Sequence, residues 1–256
     1  MEFSHSAQIW ADFPELAAGA AFTTGIAIRD TAVRAVAERT GRFYAVADTQ
    51  LASSSEAELP QTQAWRRAFT RMGLKPTQYR CASEALLRRY KKERSLPSIH
   101  PLVDLCNAIS LAYAIPVAVL DIDSVAGALE VRYAEGTESY LAFSGELEHP
   151  HAGEVIFADE AGNVHARRWT NRQSALSAVS PATSTVLIVA EAMHETGTAD
   201  VAALIETVAA EVPAIWPVTV QTGVLRADQS SFRSHAAPGS DQVSCSSGSR
   251  RIRSWP

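Results

Sequence analysis

Residues 101–113, PLVDLCNAISLAY, constrain the fold more than any other stretch of this chain. Pro101 suits the first turn of a helix, where its missing N–H costs nothing. On that helix Leu102, Leu105, Ile109, Ala112 and Tyr113 form one apolar stripe. Val103, Ala108 and Leu111 spread apolar character around the remaining circumference, which predicts burial on most sides. Asp104 and Asn107 are polar groups in these apolar surroundings and are expected to hold fixed hydrogen bonds.

The stretches on either side alternate between helix and strand patterns. Residues 16–28 are small and apolar, a strand with its turn, and a helix is expected to begin near Arg34. Residues 51–59 suit a linker or a polar helix end. Trp65, Phe69 and Met72 have helical spacing, with Gly73 at a natural stop. Ser83 is a suitable N-cap for a helix whose inner face is Leu86, Leu87 and Tyr90. Strands are expected at 116–122, 129–133, 154–158, 164–169 and 185–190, with a hairpin turn at Glu160-Ala161-Gly162-Asn163. A last helix near Asp200 carries Val201, Leu204, Ile205 and Val208 on one face and stops before Pro213. The expected class is α/β (α+β), a mixed sheet packed with helices. Residues 1–15 are expected to form an N-terminal arm, 16–217 one compact module, and 218–256 a disordered Ser/Arg-rich tail.

Charge sharpens the functional question. The chain has 23 Lys plus Arg against 28 Asp plus Glu, a net −5 that discourages a general nucleic-acid coat. The charge is unevenly spread. Residues 66–94 hold ten basic residues against Glu84 and Glu93, a local +8 that leaves −13 elsewhere. Arg88, Arg89, Lys91 and Lys92 lie outside the apolar face of their helix, where they suit phosphate contacts. A solvated face that keeps the protein in solution is the alternative.

Familiar catalytic patterns are missing from the sequence. No Gly-rich turn opens a helix, and there is no G-x-S-x-G elbow and no H-E-x-x-H pair. Glu146, Glu148, His149, His151 and Glu154 could hold a divalent cation, but Pro150 and Gly153 mark a surface loop, and no metal is expected. Cys81, Cys106 and Cys245 have no ligand spacing, and the first two are expected in the core. Asp121 and Asp123 end a strand, where capping the next turn is the plainer role. No stretch approaches the roughly 20 apolar residues of a membrane span, and no secretory signal precedes residue 10. The cytoplasm is the expected compartment, and no cofactor is implied.

Residues 96–125, LPSIHPLVDLCNAISLAYAIPVAVLDIDSV, followed by Gly127 and LEVRYAEGTESY, form a longer pattern. It resembles the editing (B-three/B-four) domain of the phenylalanyl-tRNA synthetase beta subunit, through Pro97, Val103, Asp104, Asn107, Pro116, Asp121, Val131, Arg132 and Glu138. WRRAF at 65–69, Lys75-Pro76 and SEALLRR at 83–89 look like free-standing relatives of that domain. GEVIFADEAG and TSTVLIV extend the resemblance over residues 15–215. It implies an editing-domain-like module that binds tRNA and hydrolyses the ester of a mischarged aminoacyl-tRNA in trans, without aminoacylating.

On that reading the amino-acid moiety meets Asn107, Asp121, Arg132, Arg172 and Gln173. The tRNA meets Arg66, Arg67, Arg88, Arg89, Lys91 and Lys92. No catalytic residue is identified; a labile ester needs a positioned water more than a strong acid–base pair. Three positions depart from the family pattern. Ala118 replaces a histidine, Gln173 and Ser174 replace glycines, and Val189 replaces the glutamate that reads a tyrosine hydroxyl. An apolar Val189 cannot hydrogen-bond a phenol, which argues against tyrosine editing. The alternative is a non-catalytic RNA-binding module, or an amino-acid sensor, that keeps the fold.

Overall fold

The structure is a computed structural model, and it describes residues 1–234. In chain order its strands are β1 (Glu2–His5), β2 (Ala17–Thr24), β3 (Val117–Asp121), β4 (Leu129–Tyr133), β5 (Ser139–Leu141), β6 (Leu147–Glu148), β7 (Val155–Asp159), β8 (Asn163–Arg167), β9 (Arg172–Gln173), β10 (Thr185–Ala192), β11 (Gln221–Leu225) and β12 (Ser231–Arg233). The helices are α1 (Ala7–Asp12), α2 (Asp30–Ser53), α3 (Pro60–Arg71), α4 (Ala82–Glu93), α5 (Pro101–Tyr113) and α6 (Gly197–Glu211). Among the described residues no helix is long and apolar enough to cross a membrane.

Two sheets form, and β10 explains how they are layered. Every residue of β10 after Thr185 is buried, as expected of a strand covered on both faces. Leu187 and Val189 point into a core shared with Phe3, Trp65, Phe157 and Trp169. Val186, Ile188 and Ala190 point into a second core with residues of α2, α5 and α6. The four-stranded sheet, ordered β11-β2-β10-β3, is therefore the middle layer. Helices cover one face, and the larger mixed sheet, ordered β12-β1-β4-β7-β8-β5-β6 with β9 beside β8, covers the other together with α3. This is the expected α/β class.

Local sequence fits this arrangement. Helix α6 lies against β2 where the strand is AAGAAF; a Cβ on Gly19 would come within 2.6 Å of Ile205 and 2.7 Å of Val201. Only a side-chain-free residue permits that approach. Helix α5 has no exposed residue, and Leu102, Leu105 and Ile109 are fully buried, as its composition requires.

The expected boundaries at 15 and 217 change. The residues expected as an arm form β1, which pairs in parallel with β4 and antiparallel with β12, and Phe3 is fully buried. The segment after 217 supplies β11 to the middle sheet and β12 to the larger one. Phe232 sits over Gly223, whose missing side chain makes the room. Both strands are too short for a period-2 signal, and the serine-rich composition further along masked the second. The remainder of the tail, 235–256, lies outside the described residues.

Candidate functional site

The antiparallel pairing of β3 with β10 sets Ala118 opposite Val189. Two short side chains there leave space that neighbouring elements do not fill. The resulting cavity is about 80 Å³, and Pro116, Val117, Phe157, Ala166, Trp169 and the 170–173 segment complete its walls. Two charged residues line it, Arg172 of β9 at the rim and Glu191 of β10. Glu191 lies two residues beyond Val189 on the same face of β10 and is 2% exposed.

Glu191 is tightly held. Its Oε1 accepts from His5 Nε2 at 2.6 Å and from Trp169 Nε1 at 3.0 Å. Its Oε2 has no partner among the described residues, so this oxygen is the acceptor left to the cavity. A buried carboxylate is costly unless it is paired, and two donors on one oxygen offset that cost. Trp169 is itself over-determined. Arg168 and Trp169 have φ values of 47° and 57°, a left-handed pair without glycine, which persists only where packing enforces it. The Trp169 ring meets Phe13 edge-on at 4.9 Å and Trp65 at 5.3 Å. The Arg168 amide donates to Glu154, whose carboxylate also clamps Arg167.

Arg172 and Gln173 come to this cavity. Gln173 Nε2 donates to the Val119 carbonyl at 2.8 Å, tying β9 to β3. The Arg172 guanidinium bonds Glu148 at 3.0 and 3.1 Å at the rim. Asn107 stands in the adjoining cleft, which shares Val117 and Gln173 with the cavity. Of the two polar residues of α5, Asp104 has the fixed partners expected, Ser98 Oγ at 2.6 Å and the Ile99 amide at 2.9 Å. Asn107 is half-buried, and its amide has no partner among the described residues.

Asp121 and Arg132 are not brought to the cavity. Asp121 accepts from Thr183 Oγ1 at 2.6 Å and from the Asp123 amide at 3.1 Å, capping the 3-10 turn at Ile122–Ser124. Arg132 pairs with Glu138 at 2.6 Å. Burial by itself would raise the Glu138 carboxyl, but backbone amides of Glu135 and Gly136 and the Arg132 guanidinium outweigh it and hold the group at about 2. A carboxyl depressed by folding stabilises fully above its ordinary value of 4.5, and that stability is lost as pH falls from there towards 2. Glu138→Gln is expected to lose at most about 3 kcal/mol at neutral pH. Acid titration of the melting temperature checks this: the variant's curve should be flatter over that interval, and identical acid limbs would refute it.

In the loop weighed for a cation, Glu148 and Glu154 hold Arg167, and His149 Nδ1 bonds the Glu138 carbonyl at 2.7 Å. Cys81 and Cys106 are buried, and burial pushes their thiols up to about 11 and about 12.

The basic stretch forms the outer faces of α3 and α4, and acids from elsewhere temper it. Arg66 bonds the buried Glu84 through two nitrogens, at 2.6 and 3.2 Å. Lys91 and Arg88 share Glu56 at 3.3 and 4.0 Å, and Arg89 pairs with Glu93 at 2.9 Å. Arg94 meets Asp48 and Arg71 meets Glu15. With Glu15, Asp48 and Glu56 counted, ten bases face five acids, and the local +8 becomes +5. Arg67 and Lys92 are exposed and in no ion pair among the described residues.

Sequence reasoning missed His5, Trp169 and Glu191. Glu191 left one signal, a charge at the end of a strand otherwise apolar on both faces. His5 left none, because its segment carried no core pattern.

Comparison with known proteins adds a family. The B3/4 domain model matches residues 64–209, a segment that contains every residue lining the cavity. No curated protein matches the chain. Among solved structures, the chain is similar to an N-terminal fragment of the phenylalanyl-tRNA synthetase beta-subunit from Pyrococcus horikoshii, with 14% identity and a TM-score of 0.39. That match covers 47% of this chain and 41% of the fragment, less than half of either.

Proposed function

The chain belongs to the B3/4 domain family, and from that premise we propose that it binds tRNA and hydrolyses a mischarged aminoacyl ester in trans, in the cytoplasm. The observation that carries this reading is the buried carboxylate of Glu191 lining a cavity whose strand walls, Val117, Ala118, Phe157, Ala166 and Val189, are apolar. A charged group kept in such a place favours a binding site over a core. The family pattern has its glutamate at the position of Val189. Here the carboxylate stands one pleat further along, on the same face and in the same cavity.

In this reading the amino-acid moiety enters between Ala118 and Val189. Glu191 Oε2 accepts from a donor on that moiety, its ammonium or a hydroxyl, while Gln173 and Arg172 line the entrance and Asn107 the adjoining cleft. Water adds to the ester carbonyl, the bond to the ribose oxygen breaks, and that oxygen leaves with a proton as the free hydroxyl. The chain's contribution is placement, which for an activated ester supplies most of what is needed. Arg67, Arg88, Arg89, Lys91 and Lys92 meet tRNA phosphates. Arg66, held by Glu84, fixes α3 against α4 rather than reaching outward.

The second reading, a non-catalytic RNA-binding module or amino-acid sensor, is favoured by Ala118 and Val189, which bring no polar atom to the cavity. A panel of mischarged tRNAs separates the readings. Faster deacylation of one member by the purified chain supports the hydrolase. Rates equal to buffer throughout, with tRNA or amino acid still bound, support the alternative.

A further inference from the structure

The cavity at Glu191 is small, about 80 Å³. Liquid water takes about 30 Å³ per molecule, so the space holds about three non-hydrogen atoms. An apolar cavity that accepts a benzene ring is larger, about 150 Å³. The walls have little freedom to widen. Trp169 and Phe157 are at most 1% exposed, and Phe13 and Trp65 pin the Trp169 ring. At the rim, Gln173 is tied to the Val119 carbonyl and Arg172 to Glu148.

The nitrogens of the lining are engaged within the protein. Trp169 Nε1 donates to Glu191 Oε1 at 3.0 Å, Asn171 Nδ2 to the Arg80 carbonyl at 2.7 Å, and Gln173 Nε2 to the Val119 carbonyl. Two oxygens of the lining are not engaged. Thr170 Oγ1 is buried and has no partner among the described residues. Glu191 Oε2 has none either. A carboxylate oxygen only accepts, whereas a threonine hydroxyl can also donate. The group that satisfies both is one that donates and accepts at a single atom, a hydroxyl.

We propose that the amino-acid moiety taken by this cavity carries a short hydroxylated side chain, that of serine or threonine. Such a side chain fits the volume, and its hydroxyl donates to Glu191 Oε2 and accepts from Thr170 Oγ1. Valine has the shape of threonine but no donor, and its methyl group would leave the carboxylate and the Thr170 hydroxyl unpaired, a costly arrangement. Alanine has no donor and leaves the space unfilled. Tyrosine has the hydroxyl but carries a ring larger than the space. The ammonium and the ester are common to every aminoacyl group and do not discriminate.

This specificity deepens the aminoacyl reading and rests on it for the kind of ligand, but binding alone tests it. The full chain is titrated calorimetrically with L-threoninamide, L-valinamide and L-tyrosinamide, which share the ammonium and differ in the side chain. Threoninamide should saturate. Valinamide should bind at least about tenfold more weakly, the loss of one charge-assisted hydrogen bond, and tyrosinamide should not saturate. Thr170→Val should weaken threoninamide about two- to tenfold and leave valinamide unchanged. That variant removes an unpaired buried hydroxyl, so its melting temperature should be kept or raised. No saturation by threoninamide, valinamide or tyrosinamide binding as tightly, or an undiminished threoninamide affinity in Thr170→Val would each overturn the assignment. Deacylation of a tyrosyl ester but of no seryl or threonyl ester would overturn it too, while sustaining the hydrolase reading. A protein that deacylates nothing can still pass the titration, so the two fail separately.

Discussion

Glu191→Gln is expected to lower kcat/KM for the deacylated substrate by about 10- to 100-fold, with little change in melting temperature. The substitution is selective because of how the carboxylate is held. An amide in the same place keeps an oxygen facing His5 Nε2 and Trp169 Nε1 and replaces only the free Oε2 with a donor. What is lost is one charge-assisted hydrogen bond to the ligand, worth about 1.5–3 kcal/mol, and about 1.4 kcal/mol is a factor of ten. Glu191→Leu differs in kind. It leaves two buried donors unpaired, and a loss of stability of about 3–5 kcal/mol is expected. Steady-state kinetics and thermal melts of both variants separate binding from folding. A fully active, normally stable Glu191→Gln protein would remove the aminoacyl ligand from this cavity.

The other large effect concerns tRNA. Changing Arg88, Arg89, Lys91 and Lys92 together to Glu is expected to weaken tRNA binding by at least about 100-fold at moderate salt. It should also flatten the dependence of log K on log salt, by up to about 1 per phosphate contact removed. The acids already on this surface make it a focused site rather than a broad one, so each remaining cation matters. Arg66 is the wrong residue for such a test: removing it leaves Glu84, which is 1% exposed, with Arg80 alone at 3.4 Å, and the result would mix lost stability with lost binding. Filter binding across a salt series reads the effect. Equal slopes for wild type and variant would place tRNA, if it binds, on another face.

Much of the fold was legible. The α5 segment announced burial on most sides, residues 185–190 a strand, and the EAGN turn its hairpin. In each case a long apolar run or a sharp turn leaves few alternatives. The boundaries were less legible, because β1 and β12 have four and three residues and are strands only through their neighbours. The same reason hid half the site. Arg172 and Gln173 were found through the family pattern, whereas Asp121 and Arg132 carried the pattern but serve a turn and an ion pair.

By itself the sequence determined the α/β class, the largely buried helix at 101–113, the basic face and the family resemblance. These follow from periodicity, composition and local spacing, which are properties of neighbouring residues. Only the tertiary structure decided that His5 meets Glu191 across 186 positions, that this carboxylate lines the same cavity as Val189, and that acids from distant segments cut the basic charge. Contacts of that kind join segments far apart in the chain, and local patterns such as a hairpin turn do not encode which distant strands pair.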